Sequence, residues 1–166
     1  MSQYSYLDSA SRIQDGLYVG PGLVFHSHYK EVRDQWGIEA VLNLSKSIQP
    51  QFVAPEILYL KLHAPDTEEI PIELLIPGVE FIHQCQKNQR PLLVHCMAGR
   101  NRSPTFIMAY LVTTGKTFQE AFSWVKTAHP ITRRELFLLN DFNMHPLLEH
   151  FHQPAELWNG KDLPDN

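Results

Sequence analysis

The chain contains few of the features that stabilise secreted or membrane proteins. It has 166 residues and only two cysteines, so a disulfide framework cannot hold it together. No apolar run approaches the roughly 20 residues that a membrane-spanning helix needs, and the N-terminal residues lack the apolar core of a signal peptide. These absences predict a reduced, intracellular environment, and we expect a cytoplasmic protein without a membrane span.

Charge is also sparse, and its balance is acidic. Charged residues make up 19% of the chain, and 14 Lys and Arg against 18 Asp and Glu give a formal net charge of −4. Such a chain lacks the bulk basic surface with which many proteins bind nucleic acids. An anionic ligand would therefore have to be attracted by a local cluster of cations. The hydrophobic content of 43% fits a single globular domain with a real core, whose oligomeric state the sequence does not predict.

Predicted strands and helices alternate along the chain. Apolar, β-branched runs predict strands over 17–20, 38–44, 57–62 and 91–95. Helical spacing predicts helices over 26–36, 71–87, 103–113, 118–128 and 134–144. Pro77 and Gly78 predict a kink or two successive helices, and Pro146 should interrupt the last helix. The alternation predicts an α/β fold with a central, mostly parallel sheet flanked by helices.

The expected domain organisation is simple. Residues 1–11 are predicted to be a loose lead-in, and residues 12–150 to form one folded domain. The end of the chain, 151–166, contains Pro, Gly and Asp and is expected to be extended or disordered. A capping-box pattern, Thr117-Phe118-Gln119-Glu120, marks the start of the helix predicted over 118–128.

One stretch, Val94–Ser103, carries the strongest chemical signal. It places Cys96 six residues before Arg102, between an apolar strand and an apolar helix. A loop of that size can wrap its backbone N–H groups around one tetrahedral anion, with the thiol at its floor and the guanidinium at its side. Gly99 permits a close turn, and no proline removes a donor N–H. Donors at a helix N-terminus stabilise a thiolate, so the pattern indicates a phosphate-ester hydrolase with a cysteine nucleophile.

A structural interpretation of the same residues has less support. A cysteine and an arginine at this spacing occur together by chance in many sequences. A buried structural cysteine with an accidental arginine would nevertheless leave the strand–loop–helix arrangement unexplained.

These residues resemble the cysteine-based protein tyrosine phosphatase superfamily, and most closely its dual-specificity branch. The resemblance runs from about Arg12 to Phe142 and includes Gly16–Gly20, Gly37–Leu44 and Glu120-Ala121. It implies a cysteine phosphatase-like, three-layer α/β fold. It also implies hydrolysis through a phosphocysteine intermediate without a metal or another cofactor.

The resemblance implies a role for each residue of the motif. Cys96 would attack phosphorus, and Arg102 would hold two equatorial oxygens and stabilise the transition state. Ser103 would donate a hydrogen bond to the thiolate and help it leave in the second step. His95 would orient the loop, and Asn43 would bind the loop from beneath. The phosphate would be bound by backbone N–H groups of Met97, Ala98, Gly99, Arg100, Asn101 and Arg102.

A general acid is also expected, because a leaving alkoxide or phenoxide needs a proton. Asp66 lies 30 residues before Cys96, in His63-Ala64-Pro65-Asp66, just after a predicted strand. It matches the family's position for this acid and would then deprotonate the water that hydrolyses the phosphoenzyme. The alternatives are that Glu68 or Glu69 is the acid, or that no acid acts at all. Glu68 and Glu69 could also belong only to a solvated acidic loop.

The sequence is less informative about the substrate. Phosphotyrosine and phosphoserine or phosphothreonine in proteins are the first expectation from the resemblance. Residues 131–137 depart from the family's usual proline–asparagine pattern there, and Arg133 and Arg134, with Arg100, could form an electropositive rim for a multiply phosphorylated substrate. Alternatively, Arg133 and Arg134 only solvate the start of a helix.

Other functions remain open at this stage. A phosphoinositide or an RNA 5′-phosphate could be the substrate, although Ala98 stands where RNA-directed relatives usually carry histidine. A phosphate-binding pseudophosphatase and a rhodanese-like sulfurtransferase are less favoured. Cys85 is either a buried helix cysteine or a redox partner of Cys96. The histidine pairs in the chain lack nearby acidic or cysteine ligands, so we expect no metal site.

Overall fold

The computed structural model describes residues 10–22, 31, 33–46, 56–133 and 138–159. Its strands are β1 (Ser11–Gln14), β2 (Leu17–Pro21), β3 (Ala40–Asn43), β4 (Leu58–Lys61) and β5 (Leu92–Cys96). Its longer helices are α1 (Ile72–Lys87), α2 (Arg102–Thr113), α3 (Phe118–Ala128) and α4 (Asp141–His150). A short 3₁₀ helix, Ala155–Leu157, follows. No helix in these ranges has both the length and the apolar character of a membrane span.

The five strands form one sheet in the order β1-β2-β5-β3-β4. Only the β1–β2 pair is antiparallel; β2, β5, β3 and β4 run parallel to one another. The central strand β5 is buried along its whole length, as expected for a parallel strand covered on both faces. Its register pairs Cys96 with Pro21 of β2 and His95 with Asn43 of β3. The carboxyl ends of three strands therefore meet at Cys96, where parallel sheets commonly bind ligands.

Apolar residues cover both faces of the sheet, which confirms the α/β prediction. Leu92 and Val94 of β5 join the main core beneath the helices, whereas Leu93 packs in a second cluster with Val41. The ring of Trp36 belongs to this second cluster and stacks on Tyr18 at 4.7 Å between centroids. In the main core α2 is buried along its whole length and contacts the other three helices. Its N-terminus is thereby held directly after β5.

Helix α1 is a single helix rather than two, so that part of the expectation is wrong. Pro77 lies inside it and removes one intrahelical hydrogen bond, to the carbonyl of Glu73, an exposed residue. A Cβ at Gly78 would lie 2.4 Å from a ring carbon of Phe106, so the glycine lets α1 pack closely on α2. This tertiary contact outweighs the local tendency of a proline–glycine pair to break a helix.

The last long helix also differs from its predicted range. It begins at Asp141, seven residues later than expected, and continues through Pro146 to His150. Asn140 starts it with a reciprocal cap, in which its side chain accepts from Phe142 N–H and Asn143 accepts from Asn140 N–H. The carbonyl of Leu138 is bonded instead to Ile70 N–H at 3.1 Å, which keeps that residue out of the helix. Residues 134–137 lie outside the described residues.

The expected ends of the domain need correction as well. Ser11, assigned to the lead-in, is the first residue of β1. Residues 151–166 were expected to be extended or disordered, and 160–166 lie outside the described residues. The described part packs against the domain: the Trp158 indole N–H donates to Asp141, and its ring centroid lies 4.6 Å from that of Phe118. The predicted capping box at Thr117 and Glu120 is present. Of the helix expected over 26–36, residues 33–36 are helical, and most of the remainder lies outside the described ranges.

Candidate active site

Residues 97–101, the phosphate loop, connect the central strand to the first residue of α2. Cys96 ends β5 and is 2% exposed, and Arg102 begins α2. Two groups contact the Cys96 sulfur: the Gly99 N–H donates to it at 3.3 Å, and the Ser103 hydroxyl lies 3.3 Å away. Both groups can donate to a thiolate. The structure therefore brings Cys96 and Ser103 together as the motif predicts.

Four of the five carbonyl groups of the phosphate loop accept hydrogen bonds from described residues outside it. Met97 O accepts from Gly22 N–H at 3.2 Å, and Gly99 O accepts from the His129 ring at 2.6 Å. Arg100 O accepts from Arg133 N–H at 2.7 Å, and Asn101 O accepts from Thr105 N–H at 3.0 Å. In a trans peptide the C=O and the next N–H point in opposite directions. Carbonyls bonded outward therefore turn the following N–H groups towards the interior of the loop, as an anion requires.

Gly99 lets the loop lie against the end of β2. Its φ of +69° falls in the left-handed region, and a Cβ there would lie 2.6 Å from the carbonyl carbon of Gly20. A side chain would both strain the backbone and push the loop away from the sheet. The glycine is thus required by the curvature of the loop.

Arg102 is held by backbone oxygens on one side of its guanidinium. Nη1 donates to Leu44 O at 3.0 Å and to Ala64 O at 3.2 Å, and the side chain is 10% exposed. Nη2 lies 4.0 Å from a carboxylate oxygen of Asp66, and within the described ranges neither Nε nor Nη2 makes a hydrogen bond. A planar guanidinium anchored through Nη1 keeps Nε and Nη2 for the two oxygens of a bidentate ligand.

Asp66 lies on the acid loop, residues 63–69, across a cleft from the phosphate loop. The cleft has a volume of about 530 Å³, and Asp66, Glu68, Met97 and Arg102 contribute to its lining. The Asp66 carboxylate is 59% exposed, and the Asn101 side chain donates to Asp66 O at 3.2 Å. Glu68 lines the same cleft, whereas Glu69 does not. Among the described residues, Asp66 and Glu68 are thus the acidic residues that line the cleft beside Arg102.

Comparison with known proteins identifies the family. A family model described as "Dual specificity phosphatase, catalytic domain" matches residues 22–153. The chain belongs to this family. Mouse dual specificity protein phosphatase 15 is 34% identical over 123 residues, which cover 73% of this chain and 51% of that protein. Mouse dual specificity protein phosphatase 14 is 34% identical over 129 residues, covering 76% and 63%. The chain thus spans between half and two thirds of the length of these relatives.

A solved structure supports the same assignment at the level of the fold. The crystal structure of DUSP15 superposes with a TM-score of 0.68 and 28% identity, and the match covers 89% of each chain. The dual-specificity phosphatase fold predicted from the residues around Cys96 is therefore confirmed.

In this member of the family, the two residues expected to support the loop lie side by side. His95 is fully buried in β5, and its Nδ1 donates to Cys96 O at 3.2 Å. Asn43, its neighbour on β3, accepts from the Ser45 N–H and hydroxyl and donates to Tyr59 OH at 2.7 Å. Burial raises the pKa of Tyr59, so its hydroxyl stays protonated near neutral pH. These bonds organise the strand ends from which the phosphate loop departs.

Of the three arginines expected to form a rim, Arg100 and Arg133 are among the described residues. Arg100 and Arg133 are both exposed, and their backbones are joined by the hydrogen bond from Arg133 N–H to Arg100 O. Neither lines the cleft that contains Asp66. Arg134 lies outside the described residues. An electropositive rim beside the loop therefore remains a prediction, carried by Arg100 and Arg133.

His129 is a residue of the site region that the motifs did not indicate. It follows α3 directly, is buried, and bonds both Gly99 O and the Ser11 hydroxyl. No local pattern could have found it, because these partners are 30 and 118 residues away in the chain. The structure also bears on Cys85: burial raises the pKa of its thiol to about 11, which leaves little thiolate for exchange with Cys96 at neutral pH.

Proposed function

We propose that this chain hydrolyses phosphate monoesters in phosphoproteins through a phosphocysteine formed on Cys96. The observation that carries the proposal is the outward bonding of the phosphate-loop carbonyls. It presents inward N–H groups around a buried thiol, beside an arginine whose Nη1 is already anchored. Preorganised donors of this kind stabilise the charge on the equatorial oxygens of a transferring phosphoryl group.

In the first step the Cys96 thiolate forms a bond to phosphorus, and the phosphorus–oxygen bond of the ester breaks. The loop N–H groups and the Arg102 fork bind the three non-bridging oxygens throughout. Asp66 donates a proton to the departing oxygen, which leaves as an alcohol or a phenol. The position of its carboxylate, 4.0 Å from Arg102 and across the cleft, supports this role.

In the second step a water molecule attacks the phosphocysteine. The Asp66 carboxylate takes a proton from the water as the new phosphorus–oxygen bond forms, and the sulfur–phosphorus bond breaks. The electron pair returns to Cys96, whose thiolate is stabilised by the Ser103 hydroxyl at 3.3 Å. Inorganic phosphate is released and Asp66 is protonated again for the next cycle.

Phosphotyrosine and phosphoserine or phosphothreonine side chains are the proposed substrates. An open cleft of about 530 Å³ beside an exposed Asp66 leaves room for a peptide that carries the phosphorylated residue. Exposed Arg100 and Arg133 favour a substrate with further phosphates or carboxylates near the reacting group. A thiol nucleophile requires a reducing environment, which supports a cytoplasmic location.

The decisive experiment measures phosphate release by the wild type, Cys96→Ser and Cys85→Ser. The substrates are a phosphotyrosine peptide, a phosphothreonine peptide, a phosphoinositide and RNA with a 5′-triphosphate, each with and without EDTA. We expect release from the peptides to fall by more than about 10³-fold in Cys96→Ser, because the nucleophile is lost. Cys85→Ser is the matched control: it removes the other buried thiol and should remain active.

Four results would contradict the proposal or part of it. Turnover retained in Cys96→Ser would exclude a phosphocysteine, and turnover abolished by EDTA would require a metal. Faster release from the phosphoinositide or the RNA than from both peptides would contradict the proposed substrate class. Binding of phosphopeptides without any turnover would favour a phosphate-binding pseudophosphatase.

A further inference from the structure

We propose that His129 is a positioning residue that holds the Gly99–Arg100 peptide with its N–H towards the phosphoryl group. This inference deepens the phosphatase function proposed above and rests on it. It concerns a side chain outside the phosphate loop, on the segment that follows α3.

Both ring nitrogens of His129 have a partner. Nε2 lies 2.6 Å from Gly99 O, and Nδ1 lies 2.7 Å from the Ser11 hydroxyl. A carbonyl can only accept, so Nε2 carries the hydrogen, and in the neutral ring Nδ1 accepts from Ser11. Burial lowers the pKa of His129, the hydrogen bond to Gly99 O raises it, and the charge of Lys126 lowers it, with a net lowering. This lowering favours the neutral ring. The two bonds therefore determine both the tautomer and the orientation of the ring.

His129 is itself fixed by its own backbone. Its carbonyl accepts from the Thr132 hydroxyl at 2.6 Å and from Thr132 N–H at 3.0 Å. The Thr132 carbonyl in turn accepts from the Lys126 ammonium at 2.7 Å. The next residue, Arg133, donates its N–H to Arg100 O. The segment 129–133 thus binds two consecutive carbonyls of the phosphate loop, one through a side chain and one through the backbone.

The Gly99–Arg100 peptide is the part of the loop that most needs such a bond. Gly99 has no side chain and a φ of +69°, so rotation of the following peptide meets little steric resistance. The carbonyls of Met97, Arg100 and Asn101 are each held by a backbone N–H, whereas the described partner of Gly99 O is the His129 side chain. A rotated peptide would turn a carbonyl oxygen towards the anion and remove the Arg100 N–H from it.

This role predicts a characteristic kinetic defect. The equatorial oxygens are bound in both chemical steps, so losing one oriented N–H should slow every substrate equally, whatever its leaving group. The affinity for a bound oxyanion should fall as well. A general acid behaves differently, because its loss matters most for poor leaving groups.

The test compares His129→Ala, His129→Gln and His83→Ala with the wild type. Orthovanadate affinity is measured by calorimetry, and kcat/KM is measured on an aryl and an alkyl phosphate. We expect His129→Ala to weaken vanadate binding and to lower both kcat/KM values by about 10- to 100-fold. This is less than the roughly 10²- to 10³-fold cost of removing an oxyanion donor outright, because the Arg100 N–H loses its orientation but is not deleted. The amide of His129→Gln can donate to Gly99 O and should restore most of this loss. His83→Ala removes a partly buried histidine from α1 and should leave vanadate affinity unchanged.

Several outcomes would refute the inference. They are an unchanged vanadate affinity in folded His129→Ala, a loss confined to the alkyl phosphate, or equal defects in His129→Ala and His129→Gln. If His129→Ala does not fold, Ser11→Ala replaces it, since it removes the support of Nδ1 and should weaken vanadate binding about 3-fold, the equivalent of one weak hydrogen bond. An unchanged vanadate affinity in Ser11→Ala would also refute the inference. A wild type that binds vanadate without turnover would refute the proposed function, while the vanadate comparison would still decide the role of His129.

Discussion

The phosphate loop and the acid loop meet at one cleft but are held in different ways. Carbonyls of the phosphate loop accept hydrogen bonds from the residue after β2, from α2 and from the segment after α3. Cys96 and Arg102, which flank the phosphate loop, are buried. Two carbonyls of the acid loop accept hydrogen bonds from this region: Ala64 O accepts from the Arg102 guanidinium, and Asp66 O accepts from the Asn101 side chain. The carboxylate of Asp66, the proposed general acid, is 59% exposed.

This difference matches what each loop must do. Donors that stabilise a transition-state charge are effective when they are already oriented, because no free energy is then spent on reorganising them. A general acid must reach the leaving oxygen, release a product and accept a proton from water, which a partly solvated side chain can do. In the proposed reaction the two loops would divide the work between a preorganised anion site and an accessible proton donor.

The largest loss of activity should come from a substitution of Arg102, which lies beside the phosphate loop. In Arg102→Lys an ammonium replaces the planar guanidinium. The ammonium cannot donate to Leu44 O, to Ala64 O and to two phosphate oxygens at the same time. We expect kcat/KM to fall by about 10³-fold or more on aryl and alkyl phosphates alike, since stabilisation of the equatorial oxygens is lost. Arg90→Lys is the matched control, on the turn before β5, and should stay near wild type. A comparable loss in that control would point to instability and not to the site.

A smaller, selective effect is expected from the acid loop. Asp66→Asn should lower kcat for an alkyl phosphate by about 10²-fold and for an aryl phosphate with a good leaving group several-fold less. The physical reason is that a good leaving group departs without a proton. Glu68→Gln, in the same cleft, is the control that separates the two acids. Should Glu68→Gln show the selective loss and Asp66→Asn not, the acid would be Glu68.

The smallest effect should come from the hydrogen bond between the loops. Asn101→Ala removes the bond to Asp66 O and should lower kcat on the alkyl phosphate by about 3- to 10-fold, the equivalent of one modest hydrogen bond. It should cost little stability, because the buried Asn101 Oδ1 has no partner among the described residues. In an Asp66→Asn background the same substitution should have no further effect on kcat. Additive losses in the double variant would show that Asn101 does not act through Asp66.

Local sequence predicted those features that adjacent residues decide. The strand, loop and helix around Cys96 follow one another directly, so their hydrogen-bonding requirements can be read from contiguous residues. The cap formed by Thr117 and Glu120 was predictable for the same reason. The continuity of α1 through Pro77 was not, since it depends on Phe106 packing against Gly78 from another helix. The start of α4 was missed because Leu138 O bonds to Ile70, far away in the chain.

The sequence by itself determined the reaction chemistry expected of this protein: a thiol, an arginine and a chain of N–H donors within one short loop. It could do so because an anion-binding loop satisfies most of its requirements within a few residues. Only the tertiary structure decided how that loop is held. The donors that turn its carbonyls outward come from Gly22, His129 and Arg133, and the oxygens that anchor Arg102 come from Leu44 and Ala64. These partners are distant in sequence. The packing of β5 between β2 and β3 brings the strand ends near Gly22 and Leu44 to the loop, and the packing of α3 on α2 brings the segment that contains His129 and Arg133.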